Sequence, residues 1–360
     1  MSTEKARVAV IGAGWWSTTA HIPALRNNPD ADLVAICDKQ PERLEKANAA
    51  YGPVRTYTDI GEMLAQEKLD GAVICVNHSA HYEAAKTCLE AGLHVVIDKP
   101  MVLKAAHAYD LVNIANARGV EIIMGYPWHY TENTRRARKI IQSGELGAIQ
   151  YVSCLFASVV LEFLRGNDQA YQPPSGYAVT GPGTVYSDPQ RSGGGQGHLQ
   201  VTHSAGTMFF VTGLQADKVT AFMENFDLNV DLVDAIAVRF KPSGIYAPVG
   251  VVGSTGNVVK GDSSELELQV YCEQGRLVLN QHEGTLLVRK SDGTERSYGP
   301  LDPEDRYPTH APSSNLVGLI LGKEKNESPV EAGVRTVELL DAAYRSSEAG
   351  GQPIGIADLN

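Results

Sequence analysis

Val8-Ala9-Val10-Ile11-Gly12-Ala13-Gly14-Trp15-Trp16-Ser17 is the stretch on which the reading of the fold turns. An apolar run ends in glycine, a tight turn follows, and a helix-compatible segment runs from Thr18 to Asn27. Strand, turn and helix N-terminus in that order can cradle a pyrophosphate. Gly12 lets the chain turn sharply, and Gly14 leaves room for a phosphate to approach the backbone. Ser17, in place of a third glycine, is small enough to keep helix and strand close. Turns of this kind also serve only to join a strand to a helix, so context must decide. A second apolar run, Leu33–Cys37, ends at Asp38, 24 positions after Gly14. That is near the spacing at which a carboxylate receives the adenosine ribose hydroxyls. A carboxylate there repels a 2′-phosphate, and Lys39 rather than an arginine follows it, so the expected cofactor is NAD rather than NADP. Trp15 and Trp16, in the same turn, are expected to touch it.

The pattern around this unit alternates. Strand-like runs are Arg7–Gly12, Leu33–Asp38, Gly71–Val76, His94–Asp98 and Glu121–Gly125. Helix-like runs are Thr18–Asn27, Pro41–Tyr51, Asp59–Glu67, Ala80–Ala91 and Lys104–Arg118. Such alternation predicts an α/β Rossmann domain over residues 1–125, a doubly wound parallel sheet with helices on both faces. Ligands bind beyond the carboxyl ends of such strands. Gly12–Ser17, Asn77-His78-Ser79 and Asp98-Lys99-Pro100 should therefore converge. After Gly125 the rhythm changes. Thr134–Gly144 reads as a helix. Longer strand-like runs follow at Ile149–Val160, Lys218–Phe226, Ala235–Lys241, Gly244–Gly253, Leu266–Glu273, Gly275–Asn280 and Thr285–Lys290. Turns at Lys241-Pro242-Ser243-Gly244 and Ser291-Asp292-Gly293 link neighbours as hairpins do. Residues 126–360 are thus expected to form an α+β domain with a large, mostly antiparallel open sheet, closed by a helix over 331–349. An apolar open face would suit self-association. Residues 161–192, rich in Gly, Pro, Ser and Tyr, read as an active-site loop or arm. Its Tyr171, Tyr177 and Tyr186 can stack on a polyol or simply pack.

The 360 residues suffice for two cores, and 20% charged with 43% hydrophobic side chains is a globular composition. A net charge of −11 argues against nucleic acid or an anionic membrane as partner. No apolar run reaches spanning length and no leader is evident, so a cytoplasmic protein is expected. The five cysteines are scattered, which suits a reducing compartment and predicts no zinc or other metal site.

Lys99 follows a strand at the edge where a nicotinamide should lie. A lysine there can hydrogen-bond a substrate hydroxyl and exchange its proton as hydride moves. Burial would lower its pKa toward the working range. Gly193-Gly194-Gly195 leads into a helix expected to end near Gly213. At about 100° per residue, Gln196, Gln200, His203 and Thr207 share one stripe, a candidate pocket wall. His203 can hold the reacting oxygen or shuttle its proton. His198 lies about 140° away on the same count and makes a poor metal pair with it. His78 and His81 sit three apart at a helix start beside the cofactor edge, where packing or cofactor contact is expected and metal binding is not.

These residues resemble the Gfo/Idh/MocA oxidoreductases over nearly the whole chain. The resemblance rests on Gly12-x-Gly14-x-x-Ser17, His81 with Glu90-Ala91-Gly92-Leu93-His94-Val95, and Asp98-Lys99-Pro100. It continues through Ser143-Gly144-Glu145-Leu146-Gly147, Gly193-Gly194-Gly195 with His203, and Ala342–Gly350. It implies that Lys99 is the catalytic lysine. It also implies hydride exchange between NAD(P) and a ring hydroxyl of a sugar, sugar derivative or inositol, in a homodimer or homotetramer formed through the second-domain sheet. Two departures bear on the site. Leu199 stands where the family often has an aspartate, so His203 works without that carboxylate or Gln200 or Asp188 replaces it. Tyr126-Pro127-Trp128-His129-Tyr130 stands where many members have an asparagine and an arginine, and Tyr126 and His129 are expected to shape the pocket floor. The same site could instead serve a lyase, hydrolase or epimerase with transient oxidation, or an NAD-binding sensor.

Overall fold

The computed structural model describes residues 5–167, 178–179, 181–242, 246–259 and 261–359. Six parallel strands form the first sheet: β1 (Ala6–Ile11), β2 (Ala31–Cys37), β3 (Arg55–Tyr57), β4 (Gly71–Ile74), β5 (His94–Asp98) and β6 (Ile122–Gly125). Their spatial order is β3-β2-β1-β4-β5-β6. Because β1 lies between β2 and β4, the loops leaving β1 and β4 part and open a crevice at the carboxyl ends. Val8, Val10, Ile36 and Val73 bury one face against helices Ile22–Asn27 and Pro41–Tyr51. Ala9, Ile11, Ile74 and Ile97 bury the other against Ile60–Gln66, His81–Glu90 and Ala105–Arg118. The edge strand β3 is not legible in the sequence, because Arg55-Thr56-Tyr57 carries no apolar run.

The far end of the chain completes this domain. Helix Ala311–Ile320 places Leu316 and Val317 in the cluster of Val8, Val73, Val96 and Ile123. Val337 of helix Val330–Glu348 joins the opposite cluster. Residues from both halves of the chain thus share these two clusters. The crossovers from β4 to β6 put both of their helices on one face, and a segment from the second half covers the other.

The second sheet has nine strands: β7 (Ile149–Ala157), β8 (Ala216–Glu224), β9 (Val233–Phe240), β10 (Val249–Thr255), β11 (Glu265–Cys272), β12 (Gly275–Asn280), β13 (Thr285–Lys290), β14 (Glu295–Tyr298) and β15 (Ile354–Gly355). The order is β14-β13-β12-β11-β7-β10-β9-β8-β15. β7 and β10 run parallel, and every other neighbouring pair runs antiparallel. β10 begins at Val249, later than expected, and Ser243 and Gly244 of the expected turn lie outside the described residues. One face, with Phe156, Val238, Leu268 and Leu279, packs under helices Glu132–Gln142, Thr202–Thr212 and Val330–Glu348. The opposite face leaves Leu155 45%, Val249 47% and Phe222 57% exposed. All five cysteines are free and buried. Among the described residues no helix is long and apolar enough to cross a membrane.

Candidate functional site

A cleft of about 480 Å³ occupies the crevice between β1 and β4, lined by Gly12, Gly14, Trp15, Trp16, Asn77 and His78, with Asp38 at its wall. Gly12 has φ +99°, and a Cβ there would stand 2.2 Å from the Cys75 carbonyl oxygen, so only glycine lets β1 and β4 approach at this turn. A Cβ on Gly14 would meet nothing nearer than Arg43 at 3.9 Å, leaving backbone open for a phosphate. Asp38 accepts the Ala13 N–H at 2.7 Å and the Gln40 N–H at 2.8 Å, and its carboxylate is fixed at the end of β2. Arg43, one helical turn on, lies 3.7 Å from it, a cation that local sequence order did not bring forward. Open glycine backbone and a fixed carboxylate across one elongated cleft fit a dinucleotide.

A smaller cavity of about 130 Å³ continues inward, and Lys99, Gln200, His203, Leu199 and Tyr307 line it. Trp15, Trp16, Asp98 and Tyr186 line both spaces, so the two are continuous. Lys99 follows the last residue of β5 and is 9% exposed. Its Nζ donates to the Leu199 carbonyl at 3.1 Å. Burial holds its pKa below the ordinary lysine value, against the pull of Asp98 and Cys75. Asp98 is itself pushed up to about 6 by burial, with Lys99 opposing. Beside it lie two residues that the sequence reading did not single out for the site. The ligand atoms of His21, Cys75 and Asp98 all fall within 4.8 Å of one another.

Helix Thr202–Thr212 begins one turn late, because Gly197–Val201 forms a π-helical turn. Ser17–His21, directly after Trp16, does the same. Wider turns of this kind recur at functional sites. They also break the 100° count, so the expected polar stripe divides. Gln200 and His203 reach the cavity, whereas Gln196 is fully buried and donates to Ser158 Oγ at 3.0 Å. Thr207 is 1% exposed within the domain core. His203 is held well below the ordinary histidine pKa by burial first, then by Lys99, His282 and His129. It is therefore neutral at physiological pH, and its Nδ1 has no hydrogen-bond partner. Among the described residues no hydrogen bond or ion pair joins a carboxylate to His203. Asp188 instead caps the short helix Pro189–Ser192 by accepting the Gln190 N–H at 3.0 Å.

Other expected site residues belong to the scaffold. His81 is 1% exposed, and its ring nitrogens face the Pro100 carbonyl at 2.7 Å and the Val76 carbonyl at 3.1 Å, which ties two strand ends together away from the cleft wall. His129 spans Ser328 Oγ at 2.8 Å and the Gly206 carbonyl at 3.2 Å, with its ring stacked on Phe210. Tyr126 is 2% exposed, with its hydroxyl 3.1 Å from Thr202 Oγ1. Both pack behind the helix that carries His203 and do not form the pocket floor. Phe163, inside the expected 161–192 active-site loop, and Tyr307, which had no sequence signal, line the cavity instead. His78 lines the cleft, with Nδ1 2.9 Å from the Ser192 carbonyl. Tyr171 and Tyr177 lie outside the described residues.

Asp231 also had no sequence signal. Its carboxylate accepts the Gly195 N–H at 2.7 Å, the Gly197 N–H at 2.6 Å and the Tyr344 hydroxyl at 2.8 Å. Its carbonyl takes the Gln196 N–H at 2.8 Å. The glycines are required by this grip, since a Cβ on Gly195 would stand 2.0 Å from that carbonyl oxygen.

Comparison with known proteins agrees with this geometry. The chain is 29% identical over 41% of its length to the D-glucoside 3-dehydrogenase of Escherichia coli, a match covering 42% of that protein. It is 23% identical over 81% of its length to the myo-inositol 2-dehydrogenase of Thermotoga maritima, covering 80% of that protein. An oxidoreductase from Agrobacterium radiobacter, solved in complex with NAD+, L-tartaric acid and magnesium, has the same fold. Its TM-score is 0.79 at 17% identity, over 99% of this chain and 100% of that one. Residues 6–126 match the oxidoreductase family with an NAD-binding Rossmann fold and residues 134–278 match the GFO/IDH/MocA C-terminal domain, so the chain belongs to the Gfo/Idh/MocA family of oxidoreductases.

Proposed function

We propose that this chain transfers hydride between NAD and a secondary hydroxyl or keto carbon of a sugar, sugar derivative or inositol-like polyol. The observation that carries this reading is the buried Lys99 amine in a cavity that shares four wall residues with the dinucleotide cleft. Bound nicotinamide supplies the hydride acceptor or donor. Lys99 takes the hydroxyl proton during oxidation and returns it during reduction. The Leu199 carbonyl fixes the amine, and His203, neutral, hydrogen-bonds the reacting oxygen without competing for its proton. The surrounding rings exclude water from the reacting atoms. Relatives named for a glucoside and an inositol support a ring polyol. Five buried, unpaired cysteines suit a reducing cytoplasm.

A sugar and polyol panel with NAD and NADP, read for both NADH absorbance and product, tests the reading. NADH formed in step with product is the expected result. Product without net NADH would assign transient oxidation, and NAD binding without any product would assign a sensor.

Two further outcomes follow from particular residues. Asp38→Ala raises the KM for NAD about tenfold, on the scale of one lost charge-assisted hydrogen bond to a ribose. It also narrows the NAD/NADP preference, because Arg43 remains to meet a 2′-phosphate; steady-state kinetics with both cofactors checks this. The bare face of the second sheet buries against another copy of the chain. Leu155→Asp, placed where Leu155 opposes Gly253 on β10, then halves the mass seen by light scattering. An unchanged mass would remove this face from the assembly.

A further inference from the structure

Aromatic rings follow one another around the inner cavity. Tyr186 meets Phe163 at 6.4 Å between centroids, Phe163 meets Trp15 at 5.9 Å, and Trp15 meets Trp16 at 6.0 Å. Trp16 meets Tyr307 at 6.2 Å, and Tyr307 meets His203 at 6.2 Å. All six rings line the space that Lys99 faces, and Leu199 and Val160 fill the wall between them. The wall is thus largely aromatic and aliphatic, with Asp98, Lys99, Gln200 and His203 as the polar and ionisable side chains set into it.

The charge census is equally specific. Among the described lining residues only Lys99 and Asp98 carry ionisable charge of opposite sign, and they are neighbours in sequence. No arginine is among them. Residues 168–180 of the sequence contain no lysine or arginine. A carboxylate or phosphate on the bound ring would lose its water here with no cation but Lys99 to pair it among the described lining residues, and would face the Asp98 carboxylate. Pairing it with Lys99 would hold the ammonium protonated and remove the base. An uncharged ring meets none of these penalties. The C–H face of a pyranose or cyclitol is apolar and flat, and it lies well on aromatic faces, while its hydroxyl edge turns to Lys99, Gln200 and His203. The cavity, about 130 Å³, opens into the larger cleft through the wall residues that the two share.

We propose that the inner cavity selects an uncharged sugar or cyclitol ring, held by its C–H face against the Phe163–Trp16–Tyr307 wall, and rejects rings that carry a carboxylate or phosphate. The proposal rests on the hydride-transfer reading for its orientation of the hydroxyl edge. It adds a rule that the reading does not contain.

The test is binding to the full chain saturated with NADH, by titration calorimetry. The probes are methyl pyranosides and inositols, each matched with its uronate or phosphate counterpart. At least one uncharged ring binds, and its charged counterpart binds at least tenfold more weakly. Phe163→Ala and Tyr307→Ala each weaken the uncharged ring about tenfold and leave the Kd for NADH within twofold, since neither residue lines the cofactor cleft. The proposal is overturned if no uncharged ring binds, if a charged counterpart binds as tightly, or if both variants bind the ring as wild type does. Adding NAD to the same probes separates the two readings. A bound uncharged ring that yields no NADH defeats hydride transfer and leaves the selection rule. A uronate or sugar phosphate oxidised with NADH formed keeps hydride transfer and defeats the rule.

Discussion

Lys99→Met lowers kcat by about three orders of magnitude, within the range that a positioned acid–base group contributes, and leaves the Kd for NAD within about threefold. Methionine keeps the stem that fills the wall and removes only the amine. The affinity is preserved because Lys99 lines the inner cavity and not the larger cleft. The pH profile gives a second check, with its sign fixed by burial. In the proposed role oxidation needs the neutral amine, and the Lys99 pKa is lowered from 10.5, chiefly by loss of water around the charge. The rate of oxidation therefore rises with pH and levels off at a pH lower than an exposed lysine would allow. Reduction needs the ammonium form and falls over the same interval. Lys99→Arg, which stays protonated, loses oxidation across the whole range. A Lys99→Met variant that lost cofactor affinity as much as turnover would move the residue from proton exchange to cofactor binding.

The next largest effect belongs to Asp231→Ala. Three donors lose their acceptor at once: the Gly195 and Gly197 N–H groups and the Tyr344 hydroxyl. Each buried donor left without a partner costs about 1–3 kcal/mol, so a loss of roughly 2–4 kcal/mol is expected after some relaxation. The same grip sets the start of the helix that carries Gln200 and His203, and the Leu199 carbonyl that holds Lys99. At a temperature where the variant is still folded, kcat drops about 10–100-fold, a cost typical of reacting groups misplaced by about an ångström. The affinity for NAD stays near wild type. Asp231→Asn, which keeps one acceptor oxygen, recovers part of both losses. Denaturant melts combined with the kcat and Kd values decide the matter. Lost stability with unchanged kcat would make Asp231 a structural anchor without influence on the site.

Much of the candidate site was legible because its signals are local. Gly12, Gly14 and Asp38 are fixed by the geometry of one βαβ unit, which spans a short stretch of chain. Lys99 was legible because β5 ends at Asp98 in a sheet whose strands all point their carboxyl ends one way. The misplaced residues share a different cause. Tyr126, His129 and His81 are polar side chains near the correct strand ends, but each meets a backbone carbonyl or a hydroxyl brought in from elsewhere. Sequence proximity to a site does not reveal which side of a helix the chain will pass. The Gln196–Thr207 stripe failed for a backbone reason, since a π-helical turn shifts the angular count by part of a residue.

Taken by itself, the sequence determined the parallel sheet, the dinucleotide cleft and the lysine at the end of the fifth strand, because periodicity and glycine turns act over a few residues. Tertiary structure alone decided that helix Ala311–Ile320 closes the first domain, that Asp231 anchors the helix carrying His203, and that Tyr307 walls the inner cavity. Those contacts join segments distant along the chain. They arise where apolar surface and unpaired donors left over by local folding find their partners, and no short-range pattern records which segment will supply them.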